Sequence, residues 1–270
     1  MRTATKSTSS GRSVPASKPK QRRIVLFGDS HSDAVQRAIQ KRQGKGKPVR
    51  IAAHRLLKEK NGGQIGDMSF DAFLTTIRSL DEYDVVLSMI GGNQHAVFST
   101  IQHPQRFDFF DPEGQQPAAS DVEKIPYRAL EDVFANGLRK GDGRSLEAIR
   151  SATRAQVVHI IPPPPKKDNA FIEQHHETLF AKEGLASRGV SSPELRLKFW
   201  KLQTRILESI CSEIGMDVML PPRVTTDKAG FLKPEFYAQD ATHANWLYGE
   251  RLLKEIESRY GARPAEPANA

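Results

Sequence analysis

Residues 24–33 of the chain, IVLFGDSHSD, change from apolar to reactive within a few positions. Four apolar residues are followed by a glycine, a carboxylate, the hydroxyl of Ser30 and the imidazole of His31. An apolar run that stops at a glycine in this way is typical of a strand buried on both faces of a sheet. The stretch therefore predicts a strand whose carboxyl end presents Ser30 as a candidate nucleophile.

A serine hydroxyl needs a base to take its proton and a further group to orient that base. Of the eight histidines, only His243 lies three residues after an aspartate on a loop that leads into a helical pattern, in the stretch DATHAN at 240–245. This spacing lets the carboxylate of Asp240 reach Nδ1 of the ring and leaves Nε2 facing outward. Taken alone, such a pair is more often an aspartate that caps a helix.

Acyl transfer also needs hydrogen-bond donors for the negative charge that forms on the carbonyl oxygen. The stretch DVVLSMIGG at 84–92 ends next to Asn93, whose amide is a donor at the same predicted sheet edge as Ser30. The stretch NGGQIGDMS at 61–69 is a glycine-rich turn before a helix, where Gly66 can offer an unobstructed N–H. Each feature alone is ordinary backbone geometry, but their order along the chain points to one site.

Four blocks in this order resemble the SGNH hydrolases, a branch of the GDSL esterases and lipases. The blocks are GDSHS at 28–32, NGGQIGD at 61–67, GGNQH at 91–95 and DATHAN at 240–245. The resemblance extends over most of the chain and implies a serine esterase. It assigns Ser30 as the nucleophile, His243 as the base and Asp240 as the acid that orients the base.

The resemblance also implies an oxyanion hole made of the N–H of Ser30, the N–H of Gly66 and the side-chain amide of Asn93. Gly62 and Gly63 are the alternatives to Gly66, because all three lie in the same turn. The implied mechanism passes through an acyl-enzyme and uses neither a metal nor a cofactor.

The chain departs from the family pattern beside two of its blocks. Gln94 follows the block asparagine, where many members have aspartate, and His31 follows the block serine, where many have leucine. Neither change removes a group that the mechanism needs. Together with His95, these residues are the candidates for the rim of the substrate site.

Apolar stretches rich in Val, Ile and Leu predict buried parallel strands, separated by helical patterns. These stretches are residues 23–29, 84–92, 156–162 and 216–222, with 48–54 as a weaker fifth. The alternation predicts a doubly wound α/β fold. The resemblance implies a three-layer α/β/α sandwich with a mainly parallel, roughly five-stranded, flavodoxin-like sheet.

Residues 24–262 are predicted to form one domain with two long loops. The loops, 98–126 and 162–192, each follow a strand, so we expect them at the carboxyl edge of the sheet as lids or pocket walls. Trp246 lies on an apolar helical face and is predicted to be part of the core. Residues 263–270 are predicted to be a flexible tail.

The formal net charge of +8 is concentrated at the N-terminus. Seven of the 40 basic residues, and no acidic residue, lie within residues 1–23, so the remainder of the chain is almost neutral. This segment is rich in Ser, Thr, Lys and Pro and is predicted to be disordered. A transit peptide is the alternative interpretation, although the segment lacks the apolar face of an amphipathic helix.

The sequence has neither the apolar core of a secretory signal nor an apolar run long enough to span a bilayer. The single cysteine, Cys211, excludes an internal disulfide and fits a reducing compartment. These features predict a cytoplasmic protein.

The first hypothesis is an ester hydrolase acting on a short acyl group, such as acetyl, on a carbohydrate or a similar small substrate. The second is an acyltransferase of the same fold, in which an acceptor alcohol replaces water. The third is a non-catalytic binding module whose basic tail binds a polyanion. The nearly neutral body offers no second basic patch, which argues against a nucleic-acid partner.

Overall fold

The structure, a computed structural model, describes residues 22–60, 62–113, 118–176 and 178–261. Residues 1–21 and 262–270, which include almost all of the predicted tails, lie outside these ranges. In the described residues the strands are β1 (Ile24–Gly28), β2 (Ile51–Arg55), β3 (Lys58–Lys60), β4 (Gly63–Ile65), β5 (Val85–Met89), β6 (Phe107–Asp108), β7 (Glu123–Lys124), β8 (Gln156–Ile160) and β9 (Asp217–Met219).

Five of these strands form one parallel sheet in the order β2-β1-β5-β8-β9. The register sets Ile24 beside Ile51 on one side and beside Val85 on the other. All five strands come from stretches that the sequence predicted as strands, including the weaker one. The order is that of flavodoxin-like folds, so the predicted fold class is confirmed.

Helices cover both faces of the sheet. They are α1 (Asp33–Gln43), α2 (Phe70–Arg78), α3 (Gln94–Ser99), α4 (Tyr127–Leu138), α5 (Arg144–Ala152), α6 (Asn169–Gln174), α7 (Thr178–Lys182), α8 (Leu185–Arg188), α9 (Pro193–Glu213) and α10 (Trp246–Tyr260). Leu26 packs in one core with Leu252 of α10, while Phe27 packs in the other with Phe73 of α2 and Phe199 of α9. Because both faces are covered, β1 and β5 are buried along their whole length, which explains their mainly apolar sequences.

Two serines that the sequence marks as helix starts cap helices in the structure. Ser69 and Ser192 accept hydrogen bonds from the N–H groups of Ala72 and Leu195, as expected of residues that cap α2 and α9. The sequence did not predict the β3–β4 hairpin or the short helices α3, α6, α7 and α8. Segments of three to six residues carry too little periodicity to be recognised without their tertiary contacts.

Described residues of both long loops are buried in the body of the protein. Phe109 is fully buried, and Lys198 of α9 pairs with Asp108 at 2.9 Å, so the first loop is anchored to the core. Phe110, Pro112 and Ala118 of this loop, with residues 124–126, border an apolar groove of about 880 Å³ that is separate from Ser30. The second loop carries α6, α7 and α8 and supplies the buried Lys166, whose ammonium lies 3.5 Å from Asp240.

The basic N-terminal segment joins the body two residues earlier than predicted. Arg23 pairs with the buried Asp84 at 2.6 Å, and Arg22 donates to the carbonyl of Tyr260 and to the amide oxygen of Gln156. Among the helices of the described ranges, none is long and apolar enough to cross a membrane.

Candidate active site

Ser30 lies on a sharp turn between β1 and α1. A side chain at Gly28 would meet Cβ of Met89 at 2.5 Å, so this strand end can approach β5 only as glycine. A short 3₁₀ turn, Ser30–Ser32, follows directly, and Oγ of Ser32 donates to the carbonyl of Asp29 at 2.7 Å. The turn presents Ser30, half-buried, at the carboxyl edge of the sheet, where open α/β sheets bind ligands.

The DATHAN stretch folds into a turn that is organised by Asp240. One oxygen, Oδ1, accepts the backbone N–H groups of Thr242 at 3.0 Å and His243 at 2.7 Å. The other oxygen, Oδ2, lies 2.9 Å from Nδ1 of His243. The proton of the ring is therefore on Nδ1, and Nε2 is left as an acceptor.

Nε2 of His243 lies 2.7 Å from Oγ of Ser30, although the two residues are 213 positions apart in the chain. The distance is that of a normal hydrogen bond to a hydroxyl. Asp240, His243 and Ser30 thus form a continuous carboxylate–imidazole–hydroxyl chain. Such a chain can withdraw a proton from Ser30 and store it as an imidazolium.

Asn93 is held by a turn with unusual backbone geometry. Gly91 and Gly92 have φ of 75° and 85°. The N–H of Gly91 donates to Asp29 at 2.8 Å, and the N–H of Gly92 donates to Asp142 at 3.0 Å. The carboxylates of Asp29 and Asp142 therefore stabilise the conformation of this turn.

Gln203 of α9 also stabilises this turn through two hydrogen bonds to its backbone. Its Nε2 donates to the carbonyl of Gly92 at 2.7 Å, and its Oε1 accepts the N–H of His95 at 2.8 Å. The side chain of His95 also reaches the carbonyl of Gly92, at 3.0 Å. Among the described residues, the amide nitrogen of Asn93 has no hydrogen-bond partner. It is therefore available as a donor.

Gly66 has φ of +91° and packs closely against β2. A Cβ atom at this position would lie 2.2 Å from the carbonyl oxygen of Leu56, so only glycine fits. Within the described residues its N–H makes no hydrogen bond. The preceding residue, Ile65, lines the same recess as Ser30 and Asn93. Gly62 has open space around it instead, at the tip of the hairpin.

The three residues predicted for the substrate rim have different surroundings in the structure. His31 is buried, and its Nε2 lies 2.8 Å from Oδ1 of Asn93. The amide of Gln94 lies against Gly137 of α4, and His95 is buried behind the glycine turn. In the described part of the chain, neither Gln94 nor His95 borders the concavities at Ser30.

Two concavities meet at Ser30. The larger, of about 580 Å³, is bordered by His243, Tyr237, Asn245 and Trp246 and by the ion-paired side chains of Arg37 and Asp33. The smaller, of about 210 Å³, is bordered by Asn93, Leu56, Ile65, Asp29 and Lys58. Arg55 borders both. We call them the trough and the recess.

The electrostatics of the site favour a charged Asp240. Burial alone would raise its pKa, but the hydrogen bonds and charge of His243, followed by the charge of Lys166, bring the pKa below its usual value. Burial has the opposite effect on the neighbouring His31, whose pKa is lowered to about 3, with the charge of His243 contributing in the same direction. At neutral pH the site therefore contains a carboxylate at Asp240 and an uncharged ring at His31.

Several residues of the site were missed by the sequence analysis. Lys166, Asp142 and Gln203 act only through contacts with residues far away in the chain, so no local motif marks them. Trp246 was assigned to the core, but it is partly exposed and borders the trough. Asn245, one position earlier, could have indicated this position of Trp246. Asn245 caps α10, so Trp246 is the first residue of the helix and lies at the site.

Comparisons with known proteins find structural similarity only. No protein-family model matches the chain, and no curated protein matches it in sequence. Est24, a carbohydrate acetylesterase from Sinorhizobium meliloti, is 14% identical, with 89% of this chain and 99% of that chain covered and a TM-score of 0.45.

Two further solved structures are similar at the same level. Phospholipase A1 from Streptomyces albidoflavus NA297 is 12% identical, with 88% and 99% of the two chains covered and a TM-score of 0.44. A GDSL-like lipase from Bacteroides thetaiotaomicron VPI-5482 is also 12% identical, with 89% and 88% covered and a TM-score of 0.42. At these identities and TM-scores, the similarity does not indicate the activity of this chain.

Proposed function

We propose that the protein is a serine ester hydrolase of the SGNH type that works through an acyl-enzyme. The observation that carries this proposal is the 2.7 Å contact between Nε2 of His243 and Oγ of Ser30, with Asp240 2.9 Å from the other ring nitrogen. A serine with an oriented imidazole at hydrogen-bond distance is the arrangement that nucleophilic catalysis needs.

In the first half of the reaction, Oγ of Ser30 attacks the ester carbonyl carbon while its proton passes to Nε2 of His243. The carbonyl oxygen becomes an oxyanion. The tetrahedral intermediate then collapses, the bond to the alcohol oxygen breaks, and the imidazolium gives its proton to that oxygen. Asp240 keeps the ring in the required tautomer and stabilises its positive charge.

In the second half, water attacks the acyl-enzyme. His243 takes one proton from the water, the ester bond to Ser30 breaks, and Oγ recovers the proton from Nε2. A carboxylic acid is released, and the enzyme returns to its starting state. An acyltransferase differs only in that an acceptor alcohol replaces water, and the volume of the trough beside His243 keeps this second candidate open.

The oxyanion hole that we propose consists of the N–H of Ser30, the N–H of Gly66 and the amide of Asn93. It is supported by the lack of a partner, among the described residues, for the Gly66 N–H and for the amide nitrogen of Asn93. Donors that stand ready without another partner need no reorganisation when charge develops.

The substrate that we propose is a short-chain acyl ester of a carbohydrate or a similar polar alcohol. The alcohol must lie on the His243 side, because Nε2 protonates the leaving oxygen. That side is the trough, where the indole of Trp246 and the guanidinium of Arg37 suit a sugar ring. The acyl group then enters the recess, whose volume of about 210 Å³ suits a short chain. The cytoplasmic location stays a prediction from the sequence.

The direct test is hydrolysis of 4-nitrophenyl acetate by the purified protein. Ser30→Ala and His243→Ala are each expected to abolish the release of nitrophenolate while leaving the far-ultraviolet circular dichroism spectrum unchanged. A rate that survives in Ser30→Ala would end the proposal.

A further inference from the structure

His31 stands between the two parts of the proposed catalytic machinery. Its Nε2 lies 2.8 Å from Oδ1 of Asn93, and its ring centroid lies 4.8 Å from that of His243. Only 5% of its surface is exposed, so a bound substrate has almost no access to the ring. The position is therefore poorly suited to the substrate contact that the sequence suggested.

The hydrogen-bond partners define which nitrogen carries the proton. The pKa of His31 is lowered to about 3, chiefly by burial, so the ring is neutral and has one N–H. In the described part of the chain, Nδ1 is buried without a partner. A proton on Nδ1 would bury an unsatisfied donor and would set the lone pair of Nε2 against that of Oδ1 of Asn93. The proton is therefore on Nε2, and it is donated to Asn93.

This hydrogen bond removes an ambiguity in the side chain of Asn93. A primary amide is nearly symmetric in shape, so rotation by 180° exchanges its oxygen and nitrogen at little steric cost. A donor placed 2.8 Å from Oδ1 favours one of the two orientations and turns the NH₂ group away from His31. Because Asn93 and Ser30 border the same recess, this orientation supplies a donor where the oxyanion forms.

We propose that His31 is a positioning residue that selects the amide orientation of Asn93 in which Nδ2 donates to the oxyanion. The inference rests on the proposed function and adds a residue to its machinery. Leucine, which many SGNH hydrolases have at this position, can fill the same space but cannot donate. The role also requires a neutral ring, because a cation at His31 would oppose the imidazolium that forms on His243.

The first test compares His31→Leu with His31→Gln, using 4-nitrophenyl acetate as substrate. His31→Leu is expected to lower kcat by up to about 10²-fold with little change in KM, because a small misplacement of a catalytic group has an effect of this order. His31→Gln, whose Nε2 reaches roughly the same point and can donate, should recover part of the loss. His159→Leu is the matched control, because His159 is equally buried and neither of its nitrogens has a partner among the described residues. Its kcat should stay unchanged.

The second test is a double-mutant cycle with Asn93→Ala. Once Asn93 is absent, His31→Leu should lower kcat no further. An undiminished loss in that background would contradict the proposal, and so would an effect confined to KM, which would indicate a substrate contact. Equal losses of kcat in His31→Leu and His31→Gln would also overturn it.

A third measurement does not depend on activity. Nitrogen-15 NMR of the histidine rings at pH 7 should show His31 as the neutral tautomer protonated at Nε2, and Asn93→Ala should shift that resonance. A protonated Nδ1 or a charged ring would refute the role of His31 even if the protein is an esterase. A wild-type protein without esterase activity would refute the proposed function, and the NMR result would still decide the hydrogen bond.

Discussion

The ammonium group of Lys166 is completely buried and lies 3.5 Å from Oδ1 of Asp240. It also donates to the backbone carbonyls of Asp240 and Ala238, the latter at 2.7 Å, and its nitrogen lies about 5 Å from the ring centroids of Phe171 and Tyr237. The second long loop thus contributes a buried cation that contacts Asp240, the proposed acid of the site, and the backbone of the turn that carries it.

We expect Lys166→Met to reduce both stability and kcat. Methionine keeps the contact with the two rings but leaves the carbonyls of Ala238 and Asp240 without their donor, at a cost of about 1–3 kcal/mol in the free energy of unfolding. The turn that carries His243 should then loosen. Urea unfolding and steady-state hydrolysis measure the two effects. The matched control is Lys167→Met at the exposed neighbouring position, which should behave as the wild type. If the two variants have the same free energy of unfolding and the same kcat, Lys166 does not stabilise the turn that carries His243.

A second prediction tests which glycine of the NGGQIGD block donates to the oxyanion. Gly66→Ala should be destabilising and should lower kcat by as much as about 10²- to 10³-fold, because a methyl group collides with the carbonyl of Leu56 and displaces the proposed donor. Gly62→Ala also places alanine at a positive φ but in open space, so it should cost stability alone. Measuring kcat for both variants tests the assignment. A larger loss of kcat in Gly62→Ala would transfer the donor role away from Gly66.

The sequence predicted that Ser30, His243 and Asp240 would come together, because each lies in a short motif at the end of a strand or the start of a helix, and the structure brings the three side chains into contact. The sequence could not locate Lys166, Asp142 or Gln203, whose partners are brought close only by the folded sheet. The direction of some side chains also depends on packing, which the sequence does not show. Gln94 and His95 follow Asn93 directly at the start of α3, where the amide of Gln94 lies against Gly137 and His95 is buried. The central strands β1, β5 and β8 were predictable because their burial leaves a nearly continuous apolar signal, whereas β2, which is partly exposed, gave a weaker one.

A third prediction concerns the stability of the fold at acid pH. Burial lowers the pKa of His159 from 6.5 to about 4. The unfolded chain therefore binds more protons between these two values, so the stabilisation is complete above pH 6.5 and is lost as the pH falls towards 4. For one such residue the loss between pH 7.5 and pH 5.0 is about 2 kcal/mol. His31 and His95 act in the same direction, since their pKa values are lowered to about 3 and 4.

Urea unfolding at the two pH values measures this effect. In His159→Leu the free energy of unfolding should fall less between pH 7.5 and pH 5.0 than in the wild type, by about 2 kcal/mol. An identical pH dependence in the two proteins would mean that the ring of His159 is protonated as readily in the folded state as in the unfolded one.

A fourth prediction tests the side of the site to which the alcohol binds. Trp246→Ala should raise KM for an acetylated sugar by about 10-fold, the order expected for a lost aromatic contact, and should leave KM for 4-nitrophenyl acetate nearly unchanged. Tyr83→Ala, at an exposed aromatic residue near the opposite edge of the sheet, is the control. If Trp246→Ala changes KM by the same factor for both substrates, the alcohol group of the sugar ester does not contact Trp246 in the trough.

The central claim, that Ser30 is a nucleophile activated by His243, is tested most directly by labelling with a fluorophosphonate and mapping the adduct by mass spectrometry. The reagent needs an activated serine but no knowledge of the substrate. We predict a single adduct on the peptide that contains Ser30, with the phosphonyl group on Ser30, and its loss in His243→Ala. An unlabelled wild-type protein, or an adduct on another serine, would contradict the account.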